Sequence, residues 1–217
     1  MSSSTTPARA LGEQTAADLY RTDGYSWSVE QADALRRRDF AAIDWDNVVE
    51  EIEDVGRREK NHWRGCCARV LEHLLKIEHY HEATHEVLRH WVSEINDFRR
   101  EMADDIINNP GLQGEYETMF QGAWRTGRDY ARRRLAEYDE SNGTSTLKQA
   151  RRQRDRTLPE QCPYRLEDVT AFDLQRDRDP DEDVWPPSVA RVLNTRLGDD
   201  YPVRPDRDRG RSTGWSR

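Results

Sequence analysis

Apolar residues recur along this chain in steps of three and four, not two. From Trp45 to Tyr80 they fall at positions 45, 48, 49, 52, 55, 63, 66, 67, 70, 74 and 77, which keeps them on one helix face. Asp44 stands where a residue would cap that helix, whose length reaches about 50 Å at 1.5 Å per residue. Gly56 and Gly65 read as points of bending or of close backbone approach. A turn is expected around His81 to Thr84. The next stripe is Val87, Leu88, Trp91, Ile95, Phe98, Met102 and Ile106, stopped by Asn108-Asn109-Pro110-Gly111. A third carries Leu112, Tyr116, Phe120, Ala123, Trp124, Ala131, Leu135 and Tyr138, with Gly127 on the same face, and ends at Ser141-Asn142-Gly143-Thr144. Upstream, Ser28-x-x-Gln31 has the spacing of a capping box before a short helix running to about Arg38. No alternating run supports a strand. The pattern predicts an all-α fold, an antiparallel bundle of about four to five helices with one long helix.

Outside these stripes the pattern weakens. Residues 1–17 have no periodicity and read as disordered, residues 18–172 as the helical domain, and residues 173–217 as a charged, mostly disordered tail. Leu147 to Arg156 reads either as a basic, poorly amphipathic helix or as a mobile segment. Cys162-Pro163-Tyr164 suggests a docking turn before a short helix from Leu166. Within the tail, a short helix over 188–197 presents Val189, Val192, Leu193 and Leu197, which are candidates for docking a partner. Composition agrees: from Ser141 onward only 20 of 77 residues are apolar, and seven of the nine prolines lie there. No apolar run exceeds four residues, which excludes a membrane-spanning helix, and the first ten residues lack the apolar stretch of a signal peptide. A soluble, cytoplasmic protein of bacterial type is expected.

The net charge of −8 opposes general nucleic-acid binding, although 31 of the 34 basic residues are Arg. Charge is unevenly placed. Asp39 to Glu59 carries a net −6, while Arg125 to Arg156 carries +5, a separation suited to protein association. The three cysteines cannot all pair, and the adjacent Cys66 and Cys67 diverge by about 100° on a helix. They read as small reduced apolar residues.

The strings Ala34-Leu-Arg-Arg-Arg-Asp-Phe40, Asp44-Trp-Asp-Asn-Val-Val-Glu-Glu-Ile-Glu-Asp-Val-Gly-Arg-Arg-Glu59 and Arg69-Val-Leu-Glu-His-Leu-Leu-Lys76 resemble domain-of-unknown-function family twenty-nine. Leu19-Tyr20, Tyr25-x-Trp27, Trp91, Asn109-Pro110 and Leu158-Pro-Glu-Gln-Cys-Pro-Tyr164 follow that family's order, so the resemblance covers about residues 18 to 170. The chain departs from the pattern at Ile77, where an aromatic is usual, around 141–157, and after 175. The resemblance implies a helical fold and supplies no activity to carry over.

All six histidines lie between His62 and His90 among glutamates. Glu59-x-x-His62, Glu78-x-x-His81 and Glu82-x-x-His85 have the spacing used by carboxylate-bridged di-metal bundles. Glu59 and Glu78 nevertheless stand about 28 Å apart on one helix, and His81-x-x-x-His85 is a clip only if the helix runs through the expected turn. A sharper anomaly is polarity on the stripes themselves. At about 100° per residue, Glu59 falls between Trp45, Trp63 and Cys66, while His73 and His81 lean inward and Arg134 lies near the Phe120 and Tyr138 line. A carboxylate so placed needs a partner, and Arg134 is the first candidate to hold Glu59.

These features favour a non-enzymatic protein-interaction module that needs no cofactor and binds another protein or a second copy. The alternative is a metal-dependent enzyme holding a divalent transition metal with Glu59, His62, His81 and His85. A third reading is an Arg-mediated nucleic-acid binder using Arg132 to Arg134 with Trp124 and Tyr130. No phosphate loop, Cys-x-x-Cys pair or nucleophile elbow is present.

Overall fold

The computed structural model describes residues 15–172 and 180–198. The expected disorder of most of the N-terminus and of the tail beyond Gly198, and most of the charged linker, lie outside the described residues. Within them are eight α-helices, one 3-10 segment and no strand: α1 (Ala16–Thr22), α2 (Gly24–Arg37), α3 (Trp45–His79), α4 (His85–Asn108), the 3-10 segment Pro110–Glu115, α5 (Tyr116–Ser141), α6 (Leu147–Thr157), α7 (Leu166–Thr170) and α8 (Pro187–Leu197). The all-α expectation holds, and α3 is the long helix. No helix among the described residues is long and apolar enough to cross a membrane.

The described chain divides into two compact units at Arg58 and Glu59, inside α3. In the first, Trp27, Ala34, Ile43 and Val48 form a small buried cluster, joined by partly buried Ala16, Leu19 and Tyr20. The start of α2 differs from expectation. Asp23 is the cap, its carboxylate accepting from the Ser26 backbone N–H at 3.1 Å. Ser28 instead donates to the Tyr25 carbonyl. Gln31 is buried, its Oε1 accepting from the Asp44 N–H at 2.7 Å. The Ser-x-x-Gln spacing is therefore coincidental: the amide fastens the α2–α3 loop. Asp44 sits at the start of α3 as expected, accepting from Trp27 Nε1 and Asn47 Nδ2.

In the second unit, the part of α3 from Glu59 onward, α4 and α5 bury their stripes together around Trp63, Leu71, Leu74, Leu88, Ile95, Met102 and Leu135. Helix α3 stops at His79, the turn falls at His81–Glu82, and Thr84 caps α4 through the Val87 N–H. Close approach occurs at Gly127 rather than at Gly56 or Gly65. A Cβ on Gly127 would lie 2.6 Å from the Ala68 carbonyl oxygen and 2.9 Å from Leu71 Cβ, whereas Gly56 and Gly65 have open space.

The segment left open at Leu147 is helical, and Thr146 with Gln149 forms its capping box. Helix α6 packs along α5, where Asp139 accepts from both Nε and Nη2 of Arg154 at 2.7 and 2.5 Å. The short helix of the tail exists but does not present a docking face. Val189, Leu193, Leu197 and the preceding Trp185 are buried in the core of this unit, and Val192 packs against it. The described part of this unit therefore includes residues 180–198. An amphipathic pattern reports that a face is covered, not whether its cover is the same chain or another.

Several arginines order this unit by donating to backbone carbonyls at or just beyond helix ends, where C=O groups lack partners within a helix. Arg154 donates to the His79 carbonyl at 3.0 Å. Arg196 of α8 donates to Tyr80 and Ala83 in the same turn. Arg128 of α5 donates to Pro159 beyond α6 at 2.8 Å, and Arg99 of α4 to Asp168 and Val169 of α7 at 2.8 and 3.0 Å. The guanidinium fork can satisfy two such oxygens at once.

Candidate functional site

Helices α3 and α4 run antiparallel in the second unit, so residues one turn apart on one face a turn of the other. His62 and Cys66 are four apart on α3, and Glu101 and Asp105 four apart on α4. His62 Nδ1 lies 2.8 Å from Asp105 Oδ2, and its Nε2 lies 3.8 Å from Glu101 Oε2. The Cys66 thiol donates to Glu101 Oε2 at 3.2 Å. One turn further, Asn109 Nδ2 donates to Glu59 Oε2 at 3.0 Å. The hydrogen bond to Asp105 raises the His62 pKa, while burial raises that of Asp105. Burial, then Glu101, pushes the Cys66 thiol up to about 12, so the thiol is protonated and not a reactive nucleophile.

Glu59 thus has a hydrogen-bond donor, but not the expected one. Arg134 is exposed and pairs with Glu137 at 3.0 Å on its own helix. The buried face of α5 passes through Gly127, Ala131 and Leu135; Arg134 lies beside that face, where a long side chain reaches water. The four-residue metal set is not brought together either. His81 stands in the turn and His85 at the start of α4, both exposed, so the helix break that the clip could not tolerate is present. Only His62 of that set joins a donor cluster. The residues that complete it, Cys66 and Glu101, escaped the sequence reading although the His-x-x-x-Cys and Glu-x-x-x-Asp spacings were present as signals.

His73 is buried as expected, and with Arg134 it lines a cavity of about 540 Å³ among α3, α4 and α5. The His73-Leu-Leu-Lys76 string places Leu74 and Leu75 in the core and both polar ends on the cavity wall. His73 Nε2 stands 3.3 Å from Glu94 Oε2, and Nδ1 has no hydrogen-bond partner among the described residues. Burial, with the charges of Lys76, Arg69 and His90 adding, drives its pKa down to about 2, so the imidazole is neutral. Lys76 is also buried, 3.7 Å from Glu72 Oε1 and 4.7 Å from the centre of the Trp91 ring. Desolvation lowers its pKa, opposed by Glu72 and Glu94. Arg69, Lys76 and Arg134 line this cavity together with Glu72 and Glu94, and each of the three cations is paired with a carboxylate, Arg69 and Lys76 with Glu72 and Arg134 with Glu137.

A third feature belongs to the first unit alone. Tyr25, Val29, Leu35, Phe40, Trp45, Val49, Ile52 and Val55 are all exposed, Ile52 to 68% and Tyr25 to 80%. Trp45, Val49, Ile52 and Val55 share one face of α3, and Phe40 stacks on Trp45 with ring centroids 6.4 Å apart. These α3 positions were expected to be buried.

No curated protein and no solved structure matched the chain. A family model described as Domain of unknown function DUF29 matches residues 19–174, and the chain belongs to that family.

Proposed function

We propose that the chain is a non-enzymatic protein-interaction module whose contact surface is the apolar face of its first unit. The observation that carries this reading is the confinement of exposed large apolar side chains. Eight of the ten found among the described residues lie between Tyr25 and Val55. Leaving such a surface in water forgoes roughly 25 cal/mol per Å² of apolar area, and contiguous exposed apolar surface marks interaction sites.

The occupant we infer is another protein that presents an apolar surface rich in Lys and Arg. Glu51 and Glu53 flank Ile52, and the stretch from Asp39 to Glu59 carries a net −6. Pairing this face with its own copy would set like charges against each other, whereas a basic partner gains from them.

A photo-reactive amino acid at position 52 of the full chain tests this. The expected product is one stoichiometric adduct with a second protein, cross-linked through a basic, apolar peptide. That protein, once purified, should bind the wild-type chain in a salt-sensitive manner, and the Ile52→Asp variant at least about 30-fold more weakly. Adducts only between copies of this chain, or equal binding by Ile52→Asp, would overturn the reading.

A further inference from the structure

The seam between α3 and α4 carries a donor cluster that the interaction reading does not use and that lies outside the first unit. One donor atom from each of His62, Cys66 and Glu101 lies within 4.8 Å of the other two. The separations are 3.8 Å from His62 Nε2 to Glu101 Oε2 and 3.2 Å from Cys66 Sγ to the same oxygen. Ligands bound tetrahedrally at about 2.0–2.3 Å from a zinc ion stand roughly 3.3–3.8 Å from each other, so small side-chain adjustments would close the set.

We propose that His62, Cys66 and Glu101 bind one divalent first-row transition ion, with zinc the best fit. Nitrogen, sulfur and carboxylate oxygen together suit zinc or cobalt and not the all-oxygen preference of magnesium or calcium. Asp105 supplies what a metal-binding histidine needs behind it. Its carboxylate, 2.8 Å from Nδ1, holds the proton on that nitrogen and leaves the Nε2 lone pair directed away from it, the arrangement found behind zinc-bound histidines. Cys66 is buried while the His62 and Glu101 side chains are about half exposed, at 55% and 50%. An ion can therefore enter from solvent and keep a fourth position for water. On binding, the ion takes the place of the thiol proton now shared with Glu101. The S–H bond breaks, a sulfur–metal bond forms, and the proton leaves to bulk water with no change of oxidation state.

The test is titration of the tag-free full chain with Co²⁺, followed by absorption spectroscopy and then displacement by Zn²⁺. Expected are saturation at one ion per chain, the intense visible bands of tetrahedral cobalt, and a thiolate-to-cobalt charge-transfer band in the near ultraviolet. Cys66→Ser should remove the charge-transfer band, and Cys162→Ser should leave it. Asp105→Asn keeps all three ligands and should weaken zinc binding about 10–100-fold. His62→Gln and Glu101→Gln alter side chains about half in water, so they report on the site even where the Cys66 variant fails to fold. No saturation at one ion, a charge-transfer band that survives Cys66→Ser, or unchanged affinity in both surface variants would overturn the proposal.

Discussion

Residues 15–58 and residues 59–198 are written in the same helical pattern, yet they treat it differently. Among the described residues, the second unit exposes only Val87 and Ile107 of its large apolar side chains, while the first exposes eight. Their arginines differ as well. In the second unit, Arg99, Arg128, Arg154 and Arg196 reach carbonyls of other segments. In the first, Arg21, Arg36 and Arg57 pair with carboxylates three residues away on the same helix. Such exposed local pairs are worth little, about 0–1 kcal/mol, whereas a guanidinium that satisfies buried oxygens is part of the fold. The contrast teaches that neither an apolar stripe nor an arginine carries a fixed meaning: what surrounds it decides.

Arg99 gives the largest effect expected of any arginine. It is fully buried, donates to two carbonyls of α7, and lies 4.7 Å from the centre of the Trp185 ring. Arg99→Met keeps most of the volume but leaves both oxygens without this donor, at about 1–3 kcal/mol each. The expected loss is about 3–5 kcal/mol in denaturant-induced unfolding, and Arg99→Lys should recover only part of it because an ammonium lacks the fork. Arg21→Met, as the matching change in the first unit, should stay within about 0.5 kcal/mol. A small effect at Arg99 would erase the distinction between the two sets of arginines.

How much of this was legible follows the same line. Helix existence, the α3–α4 turn and the stop at Asn109-Pro110 could be read because periodicity and breakers are local properties. Arg99 was legible in principle, since it falls four residues after Ile95 and three before Met102 on their stripe. The Glu59 partner was not legible. A wheel gives an angle on one helix, and which helix end meets that angle depends on the antiparallel register of α3 and α4, which brings Asn109 there instead of Arg134. The fate of Val189, Leu193 and Leu197 was hidden for a related reason, because burial against the same chain and against a partner select the same residues.

Acid sharpens the comparison next, because the buried imidazole of His73 belongs to the second unit. His73 titrates near 6.5 when unfolded and at about 2 when folded, so between those values the unfolded chain binds the extra proton. Its contribution is therefore complete above about pH 6.5 and falls as pH drops toward 2, by up to about 1.4 kcal/mol per pH unit. Around it stand Lys76, Arg69, Glu72, His90, Glu94 and Arg134. Stability measured from pH 7 to pH 5 should decline in the wild type, and the decline should be shallower in His73→Gln. Parallel curves for the two proteins would mean that the imidazole is not held neutral by its burial.

The smallest expected change is the one that separates the two units most cleanly. Ile52 and Val70 lie 18 residues apart in the sequence of α3, about five whole turns, so the helical period gives them the same place in the apolar pattern. Ile52 is 68% exposed and Val70 is fully buried. Ile52→Asp removes almost no packing, and at a solvated position it should change stability by no more than about 0.5 kcal/mol. Val70→Asp places a carboxylate among apolar side chains and should prevent folding or cost several kcal/mol. A pair of thermal melts distinguishes the two. If Ile52→Asp destabilised the chain by more than about 2 kcal/mol, that face would be covered in the folded monomer, since a solvated side chain has little packing to lose. If it stays near zero while partner binding collapses, the apolar character of the stripe before Glu59 serves association, and after Glu59 it serves the fold.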